Sequence, residues 1–126
     1  MALQRISFQP IPVEDQDRAV AFYRDVLGFE VQTDVPYEDD WRWIFMAIPG
    51  STSRITFSRR SELSVAEGKP VLALVSDDVD ADCAAWRARG VTIISPPSDA
   101  PWARGVRWAT IGDSEGNTLF VESVTS

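Results

Sequence analysis

Apolar and polar positions along this chain change period at regular intervals. Between Val13 and Gly28, Ala19, Val20, Phe22, Tyr23, Val26 and Leu27 fall on one side of a 3.6-residue spiral. Asp17, Arg18, Ala21, Arg24 and Asp25 fall on the other. The spacing predicts a helix with Asp15 as N-cap and Gly28 as its left-handed stop. From Phe29 to Thr33 the period drops to two, which predicts a strand. A shift of 62 residues reproduces the design: Val13 falls on Val75, Asp15 on Asp77, Gly28 on Gly90 and Val31 on Ile93. Val79, Cys83 and Trp86 form the apolar stripe of the second helix, with Trp86 expected in the core. "ISFQPIPV" and "GKPVLALV" predict a strand before each helix. "WRWIFMAI" and "RITFSR" predict two more strands in the first half, "GVRWATI" and "NTLFVES" two more in the second, broken by the turns "PGSTS" and "GDSEGN". Arg42-Trp43 and Arg107-Trp108 are counterparts across the repeat.

Each half therefore reads strand-helix-strand-strand-strand. The expected fold class is α+β: two tandem βαβββ modules, residues 1–59 and 70–126, joined by a polar linker over 60–69 within one domain, 1–126. One helix covers one face of a module's sheet. Two modules side by side predict an eight-stranded mixed sheet curled into a cup, with helices on the outer face and a pocket on the inner one.

Composition narrows the chemistry. At 126 residues, 44% hydrophobic and 25% charged, the chain reads as an ordered globular domain with a modest core. No apolar run has membrane-spanning length and "MALQRISFQP" lacks a signal-peptide core, so a cytoplasmic protein with no membrane partner is expected. Cys83 is the only cysteine, which rules out an intrachain disulfide and a thiolate metal cluster. The absence of histidine removes the commonest metal ligand, the usual neutral-pH base and any Ser-His or Cys-His pair. Twelve basic against nineteen acidic residues give a net charge of −7, which repels nucleic acid and draws cations.

"DRAVAFYRDVLGFEV", "RGVTII", "PWARGVRW" and "DSEGNTLFVES" resemble segments of the vicinal-oxygen-chelate superfamily, the group of glyoxalases, bleomycin-resistance proteins and ring-cleaving dioxygenases. The resemblance implies the cup fold over nearly the whole chain. In enzymes of that group it also implies a divalent metal held by four inward side chains. The matching positions here are Phe8, Thr56, Pro70 and Phe120. None is a normal ligand for a catalytic divalent ion, so no metal and no cofactor are expected. Gln9, beside the first position, points to the helix side if Phe8 points inward. Glu122 lies on the inner side, but one carboxylate does not make a site.

The resemblance then implies the metal-free, bleomycin-resistance-like branch: dimeric proteins that hold an antibiotic and neutralise it by sequestration. The expected function is non-catalytic binding of an aromatic antibiotic or natural product, giving self-resistance, with a homodimer as the working form. Cationic ligands suit the acidic run Glu38-Asp39-Asp40. Period-2 geometry supplies a wall: Phe8 and Pro10 on the first strand, Arg54 and Thr56 on the fourth, Phe120 and Glu122 on the last. Trp43, Phe45 and Trp41 share one side of their strand, and Trp43 and Trp108 occupy matched strands. Alternation alone does not say whether that side meets ligand or core. Trp102, in the loop "SDAPWARG", and Tyr37, in "DVPYEDD", are candidate rim residues. Offset ring stacking adds about 0.5–1.5 kcal/mol per pair, and a cation over an indole about 0.5–2 kcal/mol. Two rival readings stay open. One is a metal-dependent lyase, isomerase or dioxygenase using carboxylates. The other is a metal-free enzyme with Glu122 as a base raised in pKa by an apolar wall.

Overall fold

The computed structural model describes residues 2–124. Strand β1 (Gln9–Val13) leads into helix α1 (Gln16–Ala21), followed by β2 (Glu30–Glu38), β3 (Trp41–Ala47) and β4 (Arg54–Arg59). The same order returns as β5 (Pro70–Val75), α2 (Val79–Ala88), β6 (Ile93–Asp99), β7 (Val106–Gly112) and β8 (Thr118–Val124). The chain divides into two compact units, Met1–Ser64 and Val65–Ser126. Each holds a four-stranded mixed sheet, ordered β1-β4-β3-β2 in the first and β5-β8-β7-β6 in the second. The β1/β4 and β5/β8 pairs are parallel and the rest antiparallel.

Local chemistry starts and stops each helix. The Asp15 carboxylate accepts the Arg18 N–H at 3.0 Å, and its carbonyl accepts that of Ala19 at 2.9 Å. The chain stops at Gly28, whose φ of +81° suits a residue without Cβ. In the second unit the N-cap is Asp78, which accepts the Ala81 N–H at 3.0 Å, and the stop is Gly90 at φ +86°. The repeat therefore does not place the second cap at Asp77. The first helix is one residue longer from cap to glycine, and the extra residue goes into a π-helical turn over Phe22–Val26. Proline falls on the edge strands, Pro36 in β2 and Pro96 and Pro97 in β6, where a missing N–H is tolerated. Strand β2 runs through to Glu38, so Tyr37 lies in a strand and not in a loop.

Alternation sends one set of side chains under each helix. In the first unit Ile11, Val13, Ile44, Met46, Ile55 and Phe57 are buried with Ala19, Val20, Tyr23 and Phe29. The Tyr23 ring sits edge-on to Phe29 at 5.6 Å and tilted against Phe57 at 5.7 Å. In the second unit Ala109, Ile111, Leu119 and Val121 are buried with Val79 and Cys83. Each fully buried branched side chain contributes about 1.5–3 kcal/mol, and burial pushes the Cys83 thiol pKa up. Trp86, expected in the core, is half-buried.

A matched arginine ties helix to edge strand in each unit. Arg42 reaches Asp17 in the first turn of α1 and Asp34 in β2, both at 2.9 Å. Arg107 reaches Asp80 in the first turn of α2 at 2.9 Å and Asp99 in β6 at 3.4 Å. The Arg107 hydrogen bonds hold the Asp80 carboxyl below its ordinary value. A lowered folded-state pKa stabilises above the unfolded value and ceases to do so as pH falls through the folded one. The stability advantage of the native chain over Asp80→Asn should be full above about pH 4 and shrink steadily below it. Denaturant melts of the two proteins across that window check this; an advantage independent of pH contradicts it.

Candidate functional site

The residues between the core positions point away from the helices, and they include Trp43 and Phe45 in the first unit and Trp108 and Phe120 in the second. In the first unit, Pro10, Thr56, Phe45 and Thr33 stand in one row across β1, β4, β3 and β2, with Trp43 opposite Val35 in β3 and β2. Phe8, just before β1, meets Phe45 edge-on at 5.2 Å, and Phe45 meets Trp43 edge-on at 5.4 Å. Tyr37 lies 5.3 Å from Trp43. Trp43 at 38% exposure and Tyr37 at 61% leave much of their surface open. The Arg54 guanidinium lies 4.4 Å over the Phe45 ring. Two hydrogen bonds to Ser7 hold it there, one to the carbonyl at 3.1 Å and one to Oγ at 2.9 Å. One face of Phe45 is therefore taken by the protein's own cation. Thr56 is buried, and its hydroxyl donates to the Ile44 carbonyl at 2.7 Å.

Trp41 has the parity of Trp43 but a different setting. Its ring carries the Arg59 guanidinium at 4.8 Å, in a recess of about 620 Å³ lined also by Val13, Glu14, Asp39 and Arg60. The recess forms where β3 and β4 part: their ladder runs from Ala47↔Arg54 only to Phe45↔Thr56. The freed backbone of Arg42 is taken by buried Gln16, which accepts the Arg42 N–H at 2.9 Å and donates to its carbonyl at 2.8 Å. Sequence reasoning missed both the recess and the Gln16 clamp. A glutamine at the first position of an otherwise apolar helix face was the available signal.

In the second unit the ladder is unbroken from Val106↔Val124 to Gly112↔Thr118. Trp108, Thr110, Phe120 and Glu122 share the face away from α2, with Trp108 directly opposite Glu122 and Thr110 opposite Phe120. Ala73 and Val75 of β5 continue the rows beside Phe120 and Glu122. Trp108 and Phe120 stack at 6.0 Å with planes 15° apart. Trp102, on the turn between β6 and β7 and 58% exposed, lies 5.4 Å from Trp108 and 6.3 Å from Phe120. The Trp108 indole nitrogen is buried and has no hydrogen-bond partner among the described residues. A buried donor left so costs about 1–3 kcal/mol. The half-buried Glu122 side chain makes no ion pair among the described residues.

The structure thus gathers Phe8, Pro10, Tyr37, Trp43, Phe45, Arg54 and Thr56 on one face of the first unit. Trp102, Trp108, Phe120 and Glu122 gather on one face of the second. Pro70 stands exposed at the start of β5, opposite Thr118 and ahead of a register shift. Neither Phe8, Thr56, Pro70 nor Phe120 offers a carboxylate or imidazole. Among the described residues no three His, Cys, Asp or Glu side chains form a group able to hold a metal ion. Among the described residues no helix is long and apolar enough to cross a membrane.

Comparison with known proteins agrees with this geometry. Residues 3–121 match the Glyoxalase/Bleomycin resistance protein/Dioxygenase superfamily. The chain is similar to TnmS3, an antibiotic binding protein from Streptomyces sp. CB03234, at 30% identity and TM-score 0.84, over 99% of each chain. It is similar to a member of the same superfamily from Sphaerobacter thermophilus DSM 20745 at 26% identity and TM-score 0.84, covering 98% of this chain and 99% of that one. An uncharacterized protein of Bacillus subtilis (strain 168), YetH, is 22% identical over 95% of this chain and 98% of its own length.

The Gln16 clamp generates a stability prediction. Gln16→Ala leaves the Arg42 amide and carbonyl without their partners and should destabilise the protein by about 1–3 kcal/mol, measured by urea denaturation. A loss no larger than that of an exposed substitution in the same helix, such as Arg18→Ala, contradicts the clamp.

Proposed function

This chain belongs to the glyoxalase/bleomycin resistance protein/dioxygenase superfamily, and from that premise we propose that it binds an aromatic antibiotic or related natural product without transforming it. One observation carries the reading: the sheet face away from α2 bears three aromatic rings in mutual contact, Trp102, Trp108 and Phe120, with a half-buried carboxylate beside them. Phe120 stands where a metal-dependent relative would carry a ligand. The similarity to TnmS3 over nearly the whole chain supports the same reading.

Burying about 200 Å² of apolar ligand surface contributes about 5 kcal/mol. Two ring contacts add about 1–3 kcal/mol. Micromolar affinity needs about 8 kcal/mol net and association itself costs about 4 kcal/mol or more, so binding at that level requires a ligand that buries more than this area on a preorganised face. Glu122 and the net charge of −7 favour a neutral or cationic ligand over an anion. In the first unit Phe8, Trp43, Tyr37 and Phe45, with Pro10, Arg54 and Thr56 in the same rows, form a second aromatic face of the same kind. Sequestration is the consequence: a cytoplasmic protein, working as a homodimer, lowers the free concentration of the compound and protects its host.

Quenching of tryptophan fluorescence by a panel of planar aromatic antibiotics tests this. Trp102→Ala and Trp108→Ala should each weaken the tightest binder by about tenfold or more, roughly the loss of one stacking contact and its buried area. Trp43→Ala tests the first unit's face separately, and Trp86→Phe should leave affinity as it was. Unchanged affinity in both second-unit variants, or recovery of the compound chemically altered, overturns the reading.

A further inference from the structure

The unpartnered indole N–H of Trp108 specifies more about the ligand than its flatness. An indole nitrogen only donates, and this one is buried with no hydrogen-bond partner among the described residues. Its face offers little to satisfy it. Phe120 has no acceptor, and Glu122, directly across the ladder, accepts no bond from it. Resting on the binding reading above, we infer that the second unit's face takes a planar ring system carrying a neutral carbonyl oxygen at its edge, which accepts the Trp108 N–H.

Geometry divides the work between the two tryptophans. The N–H lies in the indole plane, and Trp108 is already stacked on Phe120. The acceptor therefore arrives edge-on to Trp108. Trp102, 58% exposed on its turn, supplies ring surface to the rest of the ligand. Because the N–H is covered in the free protein, the oxygen reaches it only when a neighbouring side chain gives way. Charge selects the kind of oxygen. With Glu122 opposite Trp108 and a net charge of −7, a carboxylate, phenolate or phosphate is repelled, whereas a ketone, quinone or lactam carbonyl is not. A site built around a hydrogen bond also rejects the analogue that lacks the partner, because its own polar group is then left buried and unpaired.

9-Fluorenone and fluorene test this, since they share one flat tricycle and differ by a carbonyl in place of a methylene. The full-length protein should bind fluorenone about tenfold more tightly than fluorene, by fluorescence quenching. In Trp108→Phe that ratio should fall to about one. The wild-type protein gives an independent readout: the Trp108 indole proton resonance, followed by ¹⁵N-edited NMR, should move downfield with fluorenone and not with fluorene. Equal binding of the two tricycles, or a preference that survives Trp108→Phe, overturns the carbonyl assignment and leaves the aromatic face standing. Failure of both tricycles and of every planar antibiotic to bind overturns the binding reading itself.

Discussion

A four-stranded sheet has two faces, and each unit of this protein has one helix of two to three turns to cover them. Everything else follows from that mismatch. The face under the helix becomes the core: Ile11, Ile44, Met46, Ile55 and Phe57 in one unit, Ala109, Ile111, Leu119 and Val121 in the other. The opposite face keeps the alternate residues of the same strands. In a sheet with one solvated face those residues are ordinarily polar. Here they include Trp43 and Phe45, and Trp108 and Phe120, beside Thr33, Thr56, Thr110 and Glu122. A sheet that places aromatic rings where water is expected is built to be covered, and a flat apolar molecule is the covering proposed here.

The two units show what a duplicated design keeps and what it lets drift. Both keep an aspartate cap, a positive-φ glycine stop and an arginine joining the first helical turn to the edge strand. The extra residue in the first helix was absorbed as a π-helical turn without loss of the glycine stop. Larger drift appears in the sheets. Between β3 and β4 the ladder ends early, and Gln16 and the Thr56 hydroxyl take up the freed Arg42 and Ile44 backbone groups. Between β7 and β8 it runs through, which leaves Trp108, Phe120 and Glu122 on a regular frame. The regular frame holds the stacked pair, and the irregular one holds a recess.

Much of this was legible in the residues. The change of period from 3.6 to 2 marks each helix and its following strand. The alternation of Trp43 with Ile44 and Met46 shows that two faces differ. It does not show which lies under the helix, since that depends on where α1 docks. Strand β2 carries Pro36, Tyr37 and Glu38 because an edge strand tolerates both proline and charge. Trp41 escaped its parity because it stands beside a register shift between Pro36 and Glu38, at the end where β3 and β4 separate. The unpaired N–H of Trp108 has no sequence signature at all. It depends on how the neighbouring side chains, Glu122 among them, are placed around the ring, and none of the described residues accepts from it.

We propose that this protein does its work on the aromatic sheet face. A crystal structure of the protein grown with a planar aromatic antibiotic tests it most directly. The account predicts the compound intact, its rings against Trp102 and Trp108 on the face away from α2. Density for a divalent ion held by carboxylates at the compound, or the compound seated against a helix with those indoles untouched, contradicts it.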